Sequence, residues 1–432
     1  MVPSPRPTSD VTAFDPEAYL NSLQPLGWRL GLERMHRLTS VLGMPQHRFA
    51  SIHVVGTNGK SSVAQMIAAL LEAHRVSAGA CISPHLVRWS ERVRIRGLEI
   101  EPGAFAAAVE RTAQGAEVAN RALEEGDAVT QFEAATAAAF VALAAAGVSA
   151  GVIEAGLGGR LDATNVIPSR VTVLTSVGLD HTEWLGETEA EIAGEKLAVL
   201  RDHSVLVTGA LSDEMDALAA ETARQRGALH VRAPLDPGPE IALRAPGAFQ
   251  RRNFALGVAA AEAFLGSLEP DAVREVAASV AIPGRLEVVA HDPTTILDVA
   301  HNPDGATALA EALPGVTGGK PVFACVGILA DKDAEAMLRA LAPALEHVVC
   351  TELPADRLLA SGRPGAHSRP AAELAEICGR LDLPAEIVTD PAAALARARE
   401  LAAARDGVAL AAGSHYLLGA AWTRRHAQSF SR

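Results

Sequence analysis

Val55-Gly56-Thr57-Asn58-Gly59-Lys60-Ser61-Ser62 is the stretch whose reading decides the fold. A short β-branched run at 50–55 precedes it, and residues 62–74 follow with apolar positions at helical spacing. Strand, glycine turn and helix together predict a phosphate-binding loop. Glycines let backbone N–H groups turn inward, the helix N-terminus adds positive potential, and Lys60 can reach the outer phosphates. Gly56, Thr57, Asn58, Gly59, Lys60, Ser61 and Ser62 are therefore candidate nucleotide-binding residues. A strict P-loop would carry glycine at 54, where this chain has Val54. The bland alternative is a tight β-α turn with a solvated lysine.

Outward from this loop the chain alternates. Strand-like runs at 150–155, 170–177 and 204–208 are interleaved with helical patterns at 189–200 and 212–226, which predicts a mostly parallel sheet covered by helices. Upstream, Asp15-Pro16-Glu17 reads as a helix opening and 31–42 as a second helix. After Ile282-Pro283-Gly284 a second alternation starts, with strands at 294–299 and 322–326 around a helix at 304–313. The expected fold is α/β: a P-loop-containing, mostly parallel sheet domain over 15–288, then a smaller Rossmann-like α/β domain over 289–432. Residues 1–14 are expected to be disordered, and the tract 361–370 (SGRPGAHSRP) to be an exposed loop of the second domain.

Composition limits the functions. Hydrophobic residues make up 49% and charged residues 21%, which suits a soluble, core-forming chain. The net charge of −13 supplies no basic field for nucleic acid or an anionic membrane. Cys81, Cys325, Cys350 and Cys378 are scattered without metal-ligand spacing and read as reduced thiols. The first ten residues lack the apolar core of a secretory signal. The alanine-rich run 134–150 falls short of the roughly 20 strongly apolar residues a membrane span needs, and reads as a buried helix. A cytoplasmic location is expected.

Seven motifs in order then narrow the reading: Ser83-Pro84-His85-Leu86-Val87-Arg88 with Glu91-Arg92-Val93; Glu154-Ala155-Gly156-Leu157-Gly158-Gly159-Arg160-Leu161-Asp162-Ala163-Thr164-Asn165; Leu179-Asp180-His181-Thr182; Glu195-Lys196; Gln250-Arg251-Arg252-Asn253; Pro283-Gly284-Arg285; and Asp298-Val299-Ala300-His301-Asn302-Pro303. With GTNGKSS they resemble the folylpolyglutamate/dihydrofolate synthases of the Mur ligase superfamily, over about residues 28 to 303. The resemblance implies an ATP-dependent ligase that joins L-glutamate to a folate or dihydropteroate carboxylate through an acyl phosphate. It implies ATP and magnesium, with two metal sites and potassium as a further candidate ion, and a monomer.

Residue by residue, Glu154 ends a strand beside the phosphate loop, where a magnesium-ligating acid is expected. The resemblance adds Ser83 and His181 as metal ligands, although alone each reads as a turn residue and a structural histidine. It also makes Lys196 a carbamate that ligates metal. A carbamate needs the neutral amine, which burial and nearby cations favour. Asn253, Arg285 and Asp298 resemble ATP contacts, with Asn253 expected to open a helix. His301 resembles a residue at the transfer site, positioning or handling a proton, so Lys60, Lys196 and His301 are the catalytic candidates. Trp28, Arg29, Leu30, Ser83, Pro84, His85, Arg88, Thr130, Phe132, Leu161, Asp162 and Ala163 are the candidate pteroate-binding residues, an aromatic wall with one hydrogen-bonding acid.

Three positions depart from the family pattern. Ser61 stands where glycine is usual and can join the metal shell, Leu197 replaces a small residue, and Phe254 replaces alanine after Asn253. The alternatives are another Mur-type ligase acting on a nucleotide-sugar peptide precursor, and a P-loop NTPase or kinase. No guanine-reading NKxD supports a switch.

Overall fold

Short runs of valine, isoleucine and alanine, buried on both faces, form the centre of two sheets. The computed structural model describes residues 14–23, 28–361, 363 and 365–419, so the expectation for 1–13 lies outside the described residues. The first sheet contains β1 (Ala50–Val55), β2 (Ala78–Cys81), β3 (Val93–Ile95), β4 (Leu98–Glu99), β5 (Ala150–Glu154), β6 (Ser169–Leu174), β7 (Val205–Thr208) and β8 (Leu229–Arg232). Its order is β4-β3-β2-β5-β1-β6-β7-β8, parallel except for the β2-β3-β4 edge.

Period-two alternation sends neighbouring side chains to opposite layers. Ile52, Val54 and Val152 pack with Val63, Ile67 and Leu71 of helix Lys60–Ala73 and with Leu256 of helix Ala248–Leu265. Ile153 faces the other way, into a core with Phe105, Val109, Phe140 and Leu143 from helices Pro102–Asn120 and Gln131–Ala145. The expected buried helix at 134–150 is this second one, and it ends at Ala145 before β5 begins.

Helix Gln131–Ala145 is nearly apolar all round, and its start is held by polar groups. Thr130 and Glu133 form a capping box, and Arg34 donates from Nε to both Glu133 oxygens at 3.0 Å. Among the described residues no helix is long and apolar enough to cross a membrane.

The second sheet contains β9 (Glu287–His291), β10 (Thr294–Leu297), β11 (Val322–Val326), β12 (His347–Cys350), β13 (Ala385–Ile387) and β14 (Val408–Ala412). The order is β13-β12-β11-β14-β10-β9, and only β9 runs antiparallel. Ala324, Val326 and Val348 pack on helices Pro303–Thr317, Ala334–Leu341 and Ala371–Arg380. Cys325 and Val349 face helix Pro391–Ala404. The break between the sheets falls at 280–286, so we take the boundary near 288 as our proposed division.

Some element ends differ from the sequence pattern. β6 stops at Leu174, because Thr175 and Ser176 turn to bond the loop at Asn58. The helix expected at 31–42 runs Glu33–Val41, and the one at 189–200 stops at Leu197. Of the tract 361–370, the described residues 361, 363 and 365–370 are half-buried to exposed. Arg369 donates to the Ala330 and Lys332 carbonyls, and Ser368 bridges to Leu329.

Candidate active site

Both sheets present the C-terminal ends of their parallel strands to one cavity of about 460 Å³. In the first sheet that edge includes β1 and its neighbours β5 and β6, where chain direction switches sides, the usual ligand crevice of such sheets.

The phosphate loop leaves β1 and enters helix Lys60–Ala73. Gly56 has φ +149°, and a Cβ there would lie 1.9 Å from Thr175 Oγ1; Gly59 caps the helix at φ +84° against Asn253. Only glycine fits both. Lys60 folds back, donating to the Gly56 and Thr57 carbonyls at 3.0 and 3.1 Å. Burial lowers its pKa, and Glu154 opposes that shift.

Glu154, at the end of β5, is 3% exposed. It accepts from Ser61 Oγ at 2.9 Å and from the Ser83 backbone N–H at 2.9 Å. Burial raises its pKa against the pull of Lys60. Lys196 is also 3% exposed and donates to the Gly56 carbonyl at 3.1 Å. Burial and then the nearby Lys60 bring its pKa down to about 7.

His181 follows β6 with φ +52°, and its Nδ1 is buried without a hydrogen-bond partner. Burial takes its pKa down to about 3. Ser83, Glu154, His181 and Lys196 all line the cavity. Among the described residues no three His, Cys, Asp or Glu side chains converge as a ready metal site. An unpartnered imidazole nitrogen, a buried carboxylate and serine hydroxyls nevertheless fit magnesium, whose shell is ordinarily completed by phosphate oxygens and water.

The second sheet supplies the facing wall. Arg285 and Asp298 influence each other electrostatically; burial lowers the arginine's pKa and raises the aspartate's. Asp298 accepts from the Leu286 and Ala300 N–H groups at 2.9 and 2.8 Å, which ties β10 to the segment that carries Arg285. His301 donates from Nδ1 to the Val299 carbonyl at 2.9 Å, so Nε2 is its basic atom, 3.8 Å from Asp180.

Asp180 joins the two halves. It pairs with Lys332, accepts from Asn302 Nδ2 at 3.2 Å and lies between His181 and His301. Burial alone would raise its pKa, but the neighbouring His181 and His301 rings and the Lys332 ammonium hold the carboxyl well below the usual range. Asn58 and Asn302 exchange amide hydrogen bonds across the cleft at 3.3 and 3.0 Å. Arg357 donates to the Leu86 carbonyl at 2.9 Å, and the Arg363 guanidinium lies 5.5 Å from the Trp28 ring.

Trp28, Arg29, Leu30, Ser83, Pro84, His85, Thr130, Phe132, Leu161, Asp162 and Ala163 all reach the cavity. Trp28 is flanked by His181 and Trp184, with ring centroids 5.8 and 5.9 Å away. Arg88 is a correction. Its half-exposed side chain points to the outer edge and pairs with Glu99 at 3.0 Å. Arg92 lines the cavity instead, with its guanidinium 4.2 Å over Trp89 and its Nε on His85.

Asp162 lines the wall, but its carboxylate accepts from the Gly156, Leu157 and Thr164 N–H groups and from the Thr164 hydroxyl. Four bonds fill its acceptor positions, so it shapes the loop and has no oxygen spare for a ring. Asn253 lies within helix Ala248–Leu265 and does not open it; Gly247 is the cap. Ser62, Asn253 and Asp298 stand behind the cavity wall. Sequence reading assigned no role to Asp180, Lys332, Arg363 or His415. Asp180 adjoins a quoted histidine and was within reach, whereas the others sit on second-sheet loops without a glycine-rich signature.

Residues 284–415 match the family model described as Mur ligase, glutamate ligase domain. The chain is 35% identical over 371 residues to the dihydrofolate synthase/folylpolyglutamate synthase of Mycobacterium tuberculosis, covering 76% of this chain and 75% of that one. It superposes on the M. tuberculosis folylpolyglutamate synthase complexed with ADP with a TM-score of 0.84 and 32% identity, covering 94% of this chain and 98% of that one. The bifunctional folylpolyglutamate synthase/dihydrofolate synthase of Yersinia pestis complexed with AMPPNP and Mn ion gives 0.81 at 30% identity, covering 98% and 100%. A P-loop sheet and a glutamate-ligase sheet closing on one cavity define a Mur-type, ATP-dependent ligase. Within that class, the chain belongs to the dihydrofolate synthase/folylpolyglutamate synthase family.

Proposed function

We propose that this chain ligates L-glutamate to the carboxylate of a folate, and to dihydropteroate, with ADP and phosphate as by-products. The observation that carries this reading is the single cavity onto which the phosphate loop, Glu154, Arg285 and His301 all face. ATP would lie along the loop, with Asn253 and Asp298 behind it supporting Gly59 and Arg285. Trp28, Phe132 and Trp89 give the aromatic wall for a flat pterin. Two names of its relatives, synthase for the first glutamate and synthase for the later ones, support both activities.

The reaction passes through an acyl phosphate. The carboxylate oxygen attacks the γ-phosphorus, ADP departs, the glutamate amine attacks the acyl carbon, and phosphate leaves with the electron pair. Lys60 and Arg285 offset charge on the transferring group. Ser61, Ser83, Glu154 and His181 would hold magnesium, which supplies charge neutralisation on the phosphates when bound. Asn58–Asn302 and Asp180–Lys332 hold the two sheets together over the intermediate and exclude water, which would hydrolyse it.

Lys196 functions as a carbamate in this reading. Its neutral amine adds to carbon dioxide, forming an N–C bond and releasing a proton, and a pKa of about 7 makes that amine available at neutral pH. Lys196→Ala is expected to be nearly inactive and partly restored by formate or acetate. An unimpaired alanine variant would remove the role. The four cysteines are free and buried, which supports a reducing, cytoplasmic setting. Monomeric action is part of the same proposal.

The test is a product assay by mass spectrometry with ATP and glutamate, offering dihydropteroate and tetrahydrofolate separately. Each should gain one glutamyl unit per ADP. Extension of tetrahydrofolate with dihydropteroate untouched would make the enzyme monofunctional.

A further inference from the structure

The end of β14 brings a second imidazole into the reaction cavity. His415 is the first residue of the helix that follows that strand and lines the cavity. Its ring centroid is 5.0 Å from that of His301, at 53°. His301 donates from Nδ1 to the Val299 carbonyl, and its basic Nε2 lies 3.8 Å from Asp180. No hydrogen bond ties the His415 ring among the described residues.

Glutamate arrives as an ammonium, and amide formation removes two protons from its nitrogen. The first must leave before the lone pair can attack the acyl carbon. The cavity offers few groups able to take it. Lys60, Lys332 and Arg285 are cations, and Glu154 and His181 face the phosphate side. Asp180 is occupied by Lys332 and Asn302. The neutral bases on the amino-acid side are His301, through Nε2, and His415, one for each of the two protons.

Resting on the ligase reading above, we propose that His415 accepts the proton of the incoming glutamate ammonium, leaving the free amine to attack the acyl phosphate. The amine lone pair then forms the C–N bond, the C–O bond to phosphate breaks, and phosphate carries off the electron pair. The second proton leaves the tetrahedral adduct through His301. Burial first, and then the charges of the nearby His301, Arg285, Lys60 and Lys332, hold the imidazole neutral, well below its ordinary pKa. The ATP triphosphate offsets the field of Lys60 and Arg285, which moves His415 back towards the range where a general base is effective.

The experiment compares two nucleophiles on the full chain with ATP and a folate. Glutamate must lose a proton before attack, whereas hydroxylamine is already neutral at neutral pH and traps the acyl phosphate as a hydroxamate. His415→Phe should lower kcat with glutamate by about 100-fold, the usual scale of a general base, while hydroxamate formation stays close to the parent rate. The glutamate rate of the variant should climb with pH, and added imidazole should restore part of it. His415→Gln, which keeps the ring's polarity and approximate size, should show the same split and carries the test if the phenylalanine variant does not fold. Glutamate rates near the parent's across the pH range, or equal losses with both nucleophiles, would overturn the assignment. A parent chain that yields neither hydroxamate nor glutamyl product contradicts the ligase reading itself, a result distinct from either outcome for His415.

Discussion

Lys60 is held by backbone carbonyls of its own loop and feels the charge of Glu154, so removing it strips charge from the phosphate site and leaves the sheet intact. Lys60→Ala should lower kcat by about 10²- to 10³-fold, the usual loss for a preorganised charge-stabilising group, with little change in denaturation midpoint. Steady-state kinetics beside a melting curve checks both halves. A folded variant at near-parental rate would contradict the role.

His53 gives a pH prediction at the same scale. It is fully buried in β1, accepts or donates at Nε2 with the Thr164 hydroxyl at 2.8 Å, and burial brings its pKa down to about 3. The unfolded chain binds this proton near the ordinary histidine value and the folded chain does not. Stability is therefore full above about pH 6.5 and falls with acidification towards the folded pKa, by up to ~1.4 kcal/mol per pH unit. The stability difference between parent and His53→Gln should shrink with this slope from about pH 6.5 to about pH 5; denaturant titrations measure it. A flat difference would mean that His53 is charged in the fold.

Single residues were unevenly legible. The glycines of the loop, Glu154 and His301 carry local signals: turn chemistry, a strand end and a motif. Arg88 reads as a site residue from the motif resemblance of Ser83 to Arg88, which does not say which of two nearby arginines turns inward. Arg92 does, held by His85 and Trp89. Lys332 and His415 become site residues only when loops more than 140 positions from the phosphate loop fold against it, and nothing local records that.

Among elements, helix Gln131–Ala145 depends most on one polar cluster. Its capping box binds Thr130 to Glu133, and Glu133 also holds Arg34 at the start of helix Glu33–Val41. Thr130→Ala should cost about 1 kcal/mol for the cap. Glu133→Gln should cost more, about 3 kcal/mol, because the buried Arg34 guanidinium loses the carboxylate on its Nε and keeps only the more exposed Asp127 at 3.3 Å. Equilibrium denaturation tests the ranking, and equal effects would show that Asp127 alone satisfies Arg34. The alternation of strands and helices was readable because buried parallel strands are short apolar runs between helical patterns. Element ends were less so: β6 gives up Thr175 and Ser176 to the phosphate loop, a tertiary demand that propensity does not express.

For the whole molecule, the two sheets meet through a few polar contacts around the cavity. Asn302 carries two of them, pairing with Asn58 and donating to Asp180, and it also caps helix Pro303–Thr317 through Gly305. Asn302→Ala should lower stability by about 1 to 2 kcal/mol through the lost cap and lower kcat through loosened closure. It should also raise ATP hydrolysis uncoupled from ligation, because water reaches the acyl phosphate. Product-to-ADP ratios measure this, and a ratio unchanged from the parent would contradict a sealing role.

The central claim is that phosphoryl transfer in this cavity is spent on an amide bond to glutamate. The most direct measurement follows ADP and product mass together while ATP, glutamate and the folate are omitted one at a time. The account predicts one glutamyl unit added per ADP, with both dependent on all three substrates. ADP release that continues without glutamate, with no gain in folate mass, would contradict it.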